Sequence, residues 1–112
     1  MEKSIFSKII DGETPAELLH EDEHCIAIND IHPQAPVHFL VIPRKPLRSL
    51  REAQEDDKAL LGHMQWVAAQ LAHQQGVGEA FRLVINNGAE VGQTVFHLHM
   101  HVLGGKTLHE RE

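Results

Sequence analysis

Three histidines at spacings of two, His97, His99 and His101, lie in the run Val95-Phe96-His97-Leu98-His99-Met100-His101-Val102-Leu103-Gly104-Gly105. Imidazoles alternate with apolar side chains until two glycines stop the pattern, a period of two that predicts a strand. On a pleated strand the three imidazoles project from one face, while Phe96, Leu98, Met100 and Val102 project from the other and are expected in the core. Each step of two residues advances roughly 6.6 Å, so the outer two Cα atoms stand about 13 Å apart and the three rings cannot share one task. A central His99 flanked by two imidazoles suits nucleophilic attack on a phosphorus or carbonyl centre, the neighbours binding oxygens or moving protons. Two histidines at i and i+2 can instead share a zinc, which needs a further protein ligand and an open position. Spacing alone leaves both chemistries standing.

The elements that must hold this row follow from the rest of the chain. Its 112 residues make a single domain, 1–112, long enough to bury about two-thirds of the surface of the unfolded chain. Ile5/Ile9 and Phe6/Ile10 are i,i+4 pairs ended by Asp11-Gly12, which predicts a short N-terminal helix. Residues 16–21 and 24–29 read as a hairpin around Glu21-Asp22-Glu23. Pro33 and Pro36 make 30–36 a loop, and 37–42 alternates as a third strand closed by Pro43. Leu60, Leu61, Met64, Val67, Ala68 and Leu71 form one stripe of a long helix stopped by Gly76. Its onset is open between Ser49, which has capping-box spacing to Glu52, and the acids Glu55 to Asp57. Residues 81–86 alternate as a fourth strand, joined through the turn 86–94 to the histidine strand as a hairpin. The expected class is α+β: an antiparallel sheet of about five strands, one long helix packed on it, and a short N-terminal helix.

Composition excludes several classes. A formal charge of −6 with histidine neutral argues against nucleic-acid binding. No run of 18 apolar residues exists, and Met1-Glu2-Lys3-Ser4 lacks the layout of a secretory signal, so a soluble cytoplasmic protein without a membrane partner is expected. The single cysteine, Cys25, sits in an apolar run and reads as a small buried residue. Arg44, Lys45, Arg48 and Arg51 form the one basic cluster and read as a solvated loop. Gly88 and Gly92 let backbone amides approach an anion beside the histidine row, with Asn86, Gln93 and Thr94 able to add side-chain contacts.

His97-Leu98-His99-Met100-His101-Val102-Leu103 resembles the histidine triad motif, His-φ-His-φ-His-φ-φ with φ apolar. The segments 5–10, 30–43 and 92–96, with Gly104-Gly105 after the triad, resemble the Hint branch of that family, so the likeness covers nearly the whole chain. The resemblance implies a HIT-like fold and a purine nucleoside phosphoramidase, which cleaves the P–N bond of adenosine or guanosine 5′-phosphoramidates through a nucleotidyl-histidine intermediate. It makes His99 the nucleophile, has His97 and His101 hold phosphate oxygens and relay protons, and adds His38 as a supporting histidine. It further implies that Asp30 binds the ribose hydroxyls, that Ile5, Phe6, Ile9, Ile28 and Ile31 line the base pocket, and that Asn86, Gly92, Gln93 and Thr94 line the phosphate side. A symmetric homodimer through the long helix and residues 81–86 is implied as well.

Three departures stand out. Ser4 and Ser7 occupy the positions of a C-x-x-C pair that binds structural zinc in some bacterial relatives; a serine hydroxyl is a poor zinc ligand, so no metal ligand and no cofactor is assigned. Thr94 replaces a serine, and Val91 replaces a glycine common in this turn. Two other functions fit the same residues: a dinucleoside polyphosphate hydrolase of the same family, and a non-catalytic nucleotide-binding or partner protein.

Overall fold

The computed structural model describes residues 3–106. In chain order it has α1 (Ile5–Ile10), β1 (Leu18–Glu21), β2 (Cys25–Asn29), β3 (Val37–Pro43), α2 (Lys58–Gln74), β4 (Phe81–Val84) and β5 (Met100–Gly104). The five strands form one sheet in the order β1-β2-β3-β5-β4, with every neighbouring pair antiparallel. The last strand is therefore inserted between β3 and β4, and the expected α+β class holds.

Both faces of the sheet are covered, which explains why β2 and β3 read as nearly continuous apolar runs. On one face Cys25, Ala27, Phe39, Val41, Met100 and Val102 pack against Met64, Val67, Ala68, Leu71 and Ala72 of α2. On the other, Ile26, Ile28, Leu40 and Ile42 pack against Phe6, with Ile9, Ile10 and Val95 at the margin. A six-residue helix cannot stand alone in water. Burying Phe6 contributes on the order of 2 kcal/mol and holds α1 against this second face.

Of the two sequence candidates for the start of the main helix the acidic one holds: α2 begins at Lys58 with Asp57 as its N-cap, directly after Glu55 and Asp56. Residues 50–52 and 55–57 each form one turn of 3₁₀-helix, and Ser49 makes no side-chain cap. Asp57 Oδ2 accepts from the Gln54 N–H at 2.8 Å, and Oδ1 takes the Lys45 ammonium at 2.6 Å. The backbone N–H first, then the lysine, hold the Asp57 carboxyl below the usual carboxylate range. Gly76, at φ +82°, ends the helix as expected.

The larger correction concerns the histidine strand. β5 starts only at Met100, so of the triad His101 alone lies in the ladder, opposite Leu40 and Val84. Pro43 ends β3 without an N–H to continue the pairing. The chain before Met100 turns away instead, Leu98 N donating to Leu47 O at 2.7 Å. Phe96, expected in the core, is consequently 39 % exposed, with the Arg48 guanidinium 5.4 Å above its ring. β4 and β5 pair as expected, but through a long connection with a 3₁₀ turn at Ala89–Val91 rather than a tight hairpin. The left-handed residues of this connection are Gly88 and Gly92. Val91 has an ordinary negative φ, so its replacement of glycine imposes no strain.

Candidate active site

His99 lies buried where the incoming chain meets β5, on the face opposite α2, its ring edge-on to Phe6 with centroids 5.0 Å apart. Its Nδ1 is 2.8 Å from the carbonyl oxygen of His97. A carbonyl only accepts, so Nδ1 carries the proton and the neutral ring keeps its lone pair on Nε2.

His101 sits beside it, ring centroids 5.1 Å from His99 and 5.2 Å from His38. Hydrogen bonding fixes the tautomers in sequence. The Gln34 backbone N–H donates to His38 Nδ1 at 3.0 Å, so His38 carries its proton on Nε2 and donates to His101 Nδ1, also at 3.0 Å. His101 is then left with an Nε2–H for which the relay provides no acceptor among the described residues. Burial above all, with the neighbouring His99 and His38 acting the same way, pushes the His101 pKa down to about 4. The ring is neutral at pH 7 and able to donate a hydrogen bond. Asp30 turns Oδ2 toward this pair, 3.4 Å from His38 Nε2 and 3.8 Å from His101 Nδ1, while Oδ1 accepts from the His32 N–H.

His97 is placed differently from the expectation that it holds phosphate oxygens. It is 2 % exposed and both of its ring nitrogens are engaged within the protein. Nε2 donates to the Pro43 carbonyl at 2.8 Å, which leaves Nδ1 to accept from the Ser7 hydroxyl at 3.1 Å, with Ser4 Oγ at 3.5 Å. Desolvation lowers its pKa, which the Pro43 bond partly offsets. The two serines at the C-x-x-C positions thus meet on an imidazole. Ser4 also caps α1 by accepting from Ser7 N at 3.0 Å, so the helix start and His97 fix one another. His97 serves this site through its backbone carbonyl.

The remaining expected residues divide. Phe6 and Ile28 are buried in the face that backs His99, with Ile9 at its margin. Ile5 is 46 % and Ile31 86 % exposed, so neither is packed in a formed wall. Asn86 is half-buried just beyond β4, and Gly92 and Thr94 are exposed. Gln93 is a correction: its side chain is 3 % exposed and fully committed, Oε1 accepting from Gly88 N and Nε2 donating to the carbonyls of Arg48 and Val95. It shapes the loop beside the triad and has no donor to spare for a phosphate. The basic cluster is likewise spent in part: Arg44 bonds Asp22 O and Glu21, and Lys45 bonds Asp57. Cys25 is fully buried, as expected, and desolvation pushes its thiol up to about 12. Ser4 and Ser7 are the partners that sequence reasoning missed as contacts; the signal was their helical spacing of three, which puts both on one side of α1.

The family described as scavenger mRNA decapping enzyme C-term binding matches residues 3–111 of this chain. A HIT-like protein of Synechocystis sp. is 59 % identical over 94 % of this chain and 92 % of its own length. The chain belongs to the histidine triad (HIT) family. Among solved structures, a HIT family hydrolase from Clostridium thermocellum superposes with a TM-score of 0.93 at 40 % identity, covering 99 % of this chain and 97 % of that one. A histidine triad protein from Clostridium difficile superposes at 0.92 and 38 % identity over the full length of both. The fold is thus the HIT fold, and the chain is hydrolase-like in its relatives. Among the described residues no helix is long and apolar enough to cross a membrane.

Proposed function

We propose that this HIT protein hydrolyses purine nucleoside 5′-phosphoramidates through a covalent intermediate on His99. One observation carries the reading: the His99 Nδ1–H is held by its own chain's carbonyl, which puts the lone pair of the neutral ring on Nε2, the atom that would attack. His99 Nε2 would attack the 5′-phosphorus as the P–N bond breaks, and the amine would leave with a proton. Water would then attack the nucleotidyl-histidine, releasing the nucleoside monophosphate and restoring the free ring. His101, its ring beside that of His99, would use its Nε2–H to hydrogen-bond a phosphate oxygen or the leaving nitrogen. Phe6 and Ile28 would contact the base, Asp30 the ribose hydroxyls, and the backbone amides around Gly92 the phosphate. Neither a cofactor nor a metal enters these steps.

The Hint-like segments 5–10 and 30–43 and the glycine pair 104–105 favour phosphoramidates over dinucleoside polyphosphates, whose cleavage would use the same nucleophile. The test is rapid quenching with adenosine 5′-phosphoramidate followed by peptide mass analysis. The expected result is one nucleotidyl group on the peptide containing His99 and a higher kcat/KM for the phosphoramidate than for diadenosine polyphosphates. No adduct and no turnover of either substrate would leave only a binding protein; turnover of the polyphosphate alone would assign the neighbouring activity.

A further inference from the structure

On the opposite face of the sheet from His99, the β1–β2 turn and α2 bring four other side chains together. Asp22 Oδ2 is 2.7 Å from His20 Nε2, 2.7 Å from His63 Nε2 and 3.7 Å from Cys25 Sγ. The ligand atoms of His20, Asp22 and Cys25 all lie within 4.8 Å of one another. His63 reaches the same oxygen from α2, its ring stacked on Trp66 and edge-on to His24 at 5.3 Å. Asp22 is oriented from behind, because Oδ1 already accepts the backbone N–H groups of His24 at 2.7 Å and Cys25 at 2.8 Å. Arg44 Nε bonds the Asp22 carbonyl, and its guanidinium is paired with Glu21. His20, Asp22 and His63 keep between 23 and 30 % of their side-chain surface exposed, so the cluster is reachable from solvent.

We propose that His20, Asp22, Cys25 and His63 form a structural zinc site that staples the β1–β2 turn to α2. Two imidazoles, a carboxylate and a thiolate are a closed donor set for a tetrahedral, borderline-soft divalent cation. Ligand atoms around such an ion stand roughly 3.3–3.7 Å apart, given bonds of about 2.0–2.3 Å. The Asp22–Cys25 separation already has that value; the two histidine contacts need to open by roughly half an ångström, and His63, which stands outside the 4.8 Å group of the other three, must move toward His20 and Cys25 to close the tetrahedron. One carboxylate oxygen with two N–H donors and one S–H donor has more donors around it than it has lone pairs, whereas every one of those groups offers a lone pair to a cation. On binding, the Cys25 thiol loses its proton to solvent. Each neutral imidazole moves its proton from Nε2 to Nδ1 and gives Nε2 to the metal. This inference is independent of the reaction proposed at His99, which lies across the sheet.

Cobalt(II) is the probe, because Cys25 is the one cysteine in the chain and a near-ultraviolet thiolate-to-cobalt band can come from nowhere else. Chelated, dialysed full-length protein titrated with cobalt is expected to show that band at one equivalent, and zinc is expected to bleach it. Free zinc at one hundred times Kd is expected to raise Tm by roughly 10 °C. Cys25→Ser abolishes the band, His63→Gln weakens zinc binding at least tenfold, and His101→Asn keeps both responses. Absence of the thiolate band, or a zinc response that is lost in His101→Asn and kept in His63→Gln, would overturn the proposal. Because His63 is on the helix surface, its variant still reads the site if Cys25→Ser fails to fold.

Discussion

The Nδ1 of His99 donates to the carbonyl oxygen of His97 at 2.8 Å, so the tautomer of the proposed nucleophile is set by the backbone of the residue two positions before it. Such a bond survives any change of the His97 side chain, provided that the chain path is kept. Under the proposed reaction it also separates what the middle and first histidines of the triad contribute: a reacting atom from one, and a main-chain acceptor with a buried anchor from the other.

His99→Ala is expected to remove phosphoramidase turnover by several orders of magnitude while leaving nucleoside monophosphate binding within a fewfold of the parent, since base and ribose contacts come from other segments. Single-turnover rates and equilibrium dialysis check the two halves. Retention of most of the rate in this variant would exclude His99 as the nucleophile.

For His97→Ala the expectation is a stability loss of about 2–4 kcal/mol with the nucleotidyl adduct still formed. The substitution opens a cavity and strips the buried Pro43 carbonyl of its donor, but keeps the carbonyl of residue 97. Ser7→Ala removes one hydrogen bond to His97 and should cost about 1 kcal/mol. Denaturant midpoints and adduct mass are the readouts. A His97→Ala protein of parental stability that forms no adduct would give its ring a chemical role.

Turnover is expected to persist after exhaustive chelation, because His99 and His101 are arranged for attack and hydrogen donation by protein groups alone. The measurement is kcat at 25 °C before and after EDTA. Activity that vanishes and returns with zinc would move the chemistry onto a metal, for which Asp30, His38 and His101 are near enough to be ligands.

A homodimer in solution is the next expectation. The sheet ends on β4, whose outer edge has no partner strand among the described residues, and Leu83 on that strand and Trp66 on α2 are 37 % and 60 % exposed. Sedimentation at micromolar concentration should give twice the 12.6 kDa chain mass. A single monomeric species would remove the dimer reading.

How far the sequence could be read follows from the range of the forces involved. Residues 37–42 were legible as a strand because Leu40 and Ile42 face one apolar layer and Phe39 and Val41 the other, and alternation is a local property. The same alternation misled at 95–99. There the deciding bonds are Leu98 N to Leu47 O and His97 Nε2 to Pro43 O, which cross about fifty residues, so no window of neighbouring residues contains them. Gln93 was placed by its type, which fits a phosphate ligand, while its side chain donates to the carbonyls of Val95 and of Arg48, the latter 45 positions away. The His20, Asp22, Cys25 and His63 cluster escaped because its members lie on three elements and only the β1–β2 pairing and the docking of α2 join them.

The last expectation concerns stability in acid. In the folded protein burial lowers the pKa of His97 and takes that of His101 to about 4, whereas in the unfolded chain both return to the ordinary value near 6.5. Between those limits the unfolded state binds more protons than the folded one, so unfolding is favoured as pH falls. The stability tied to His101 is therefore fully present above about pH 6.5 and is lost progressively down to about pH 4, an effect of order 3 kcal/mol at about 1.4 kcal/mol per pKa unit. His101→Asn keeps a polar partner for His38 and cannot titrate, so its Tm should fall less between pH 7 and pH 5 than that of the parent, even if it starts lower. Thermal melts of the two proteins across that window provide the check. Parallel curves would mean that His101 is no harder to protonate in the fold than in the open chain, and its assignment as a neutral donor beside His99 would fall with them.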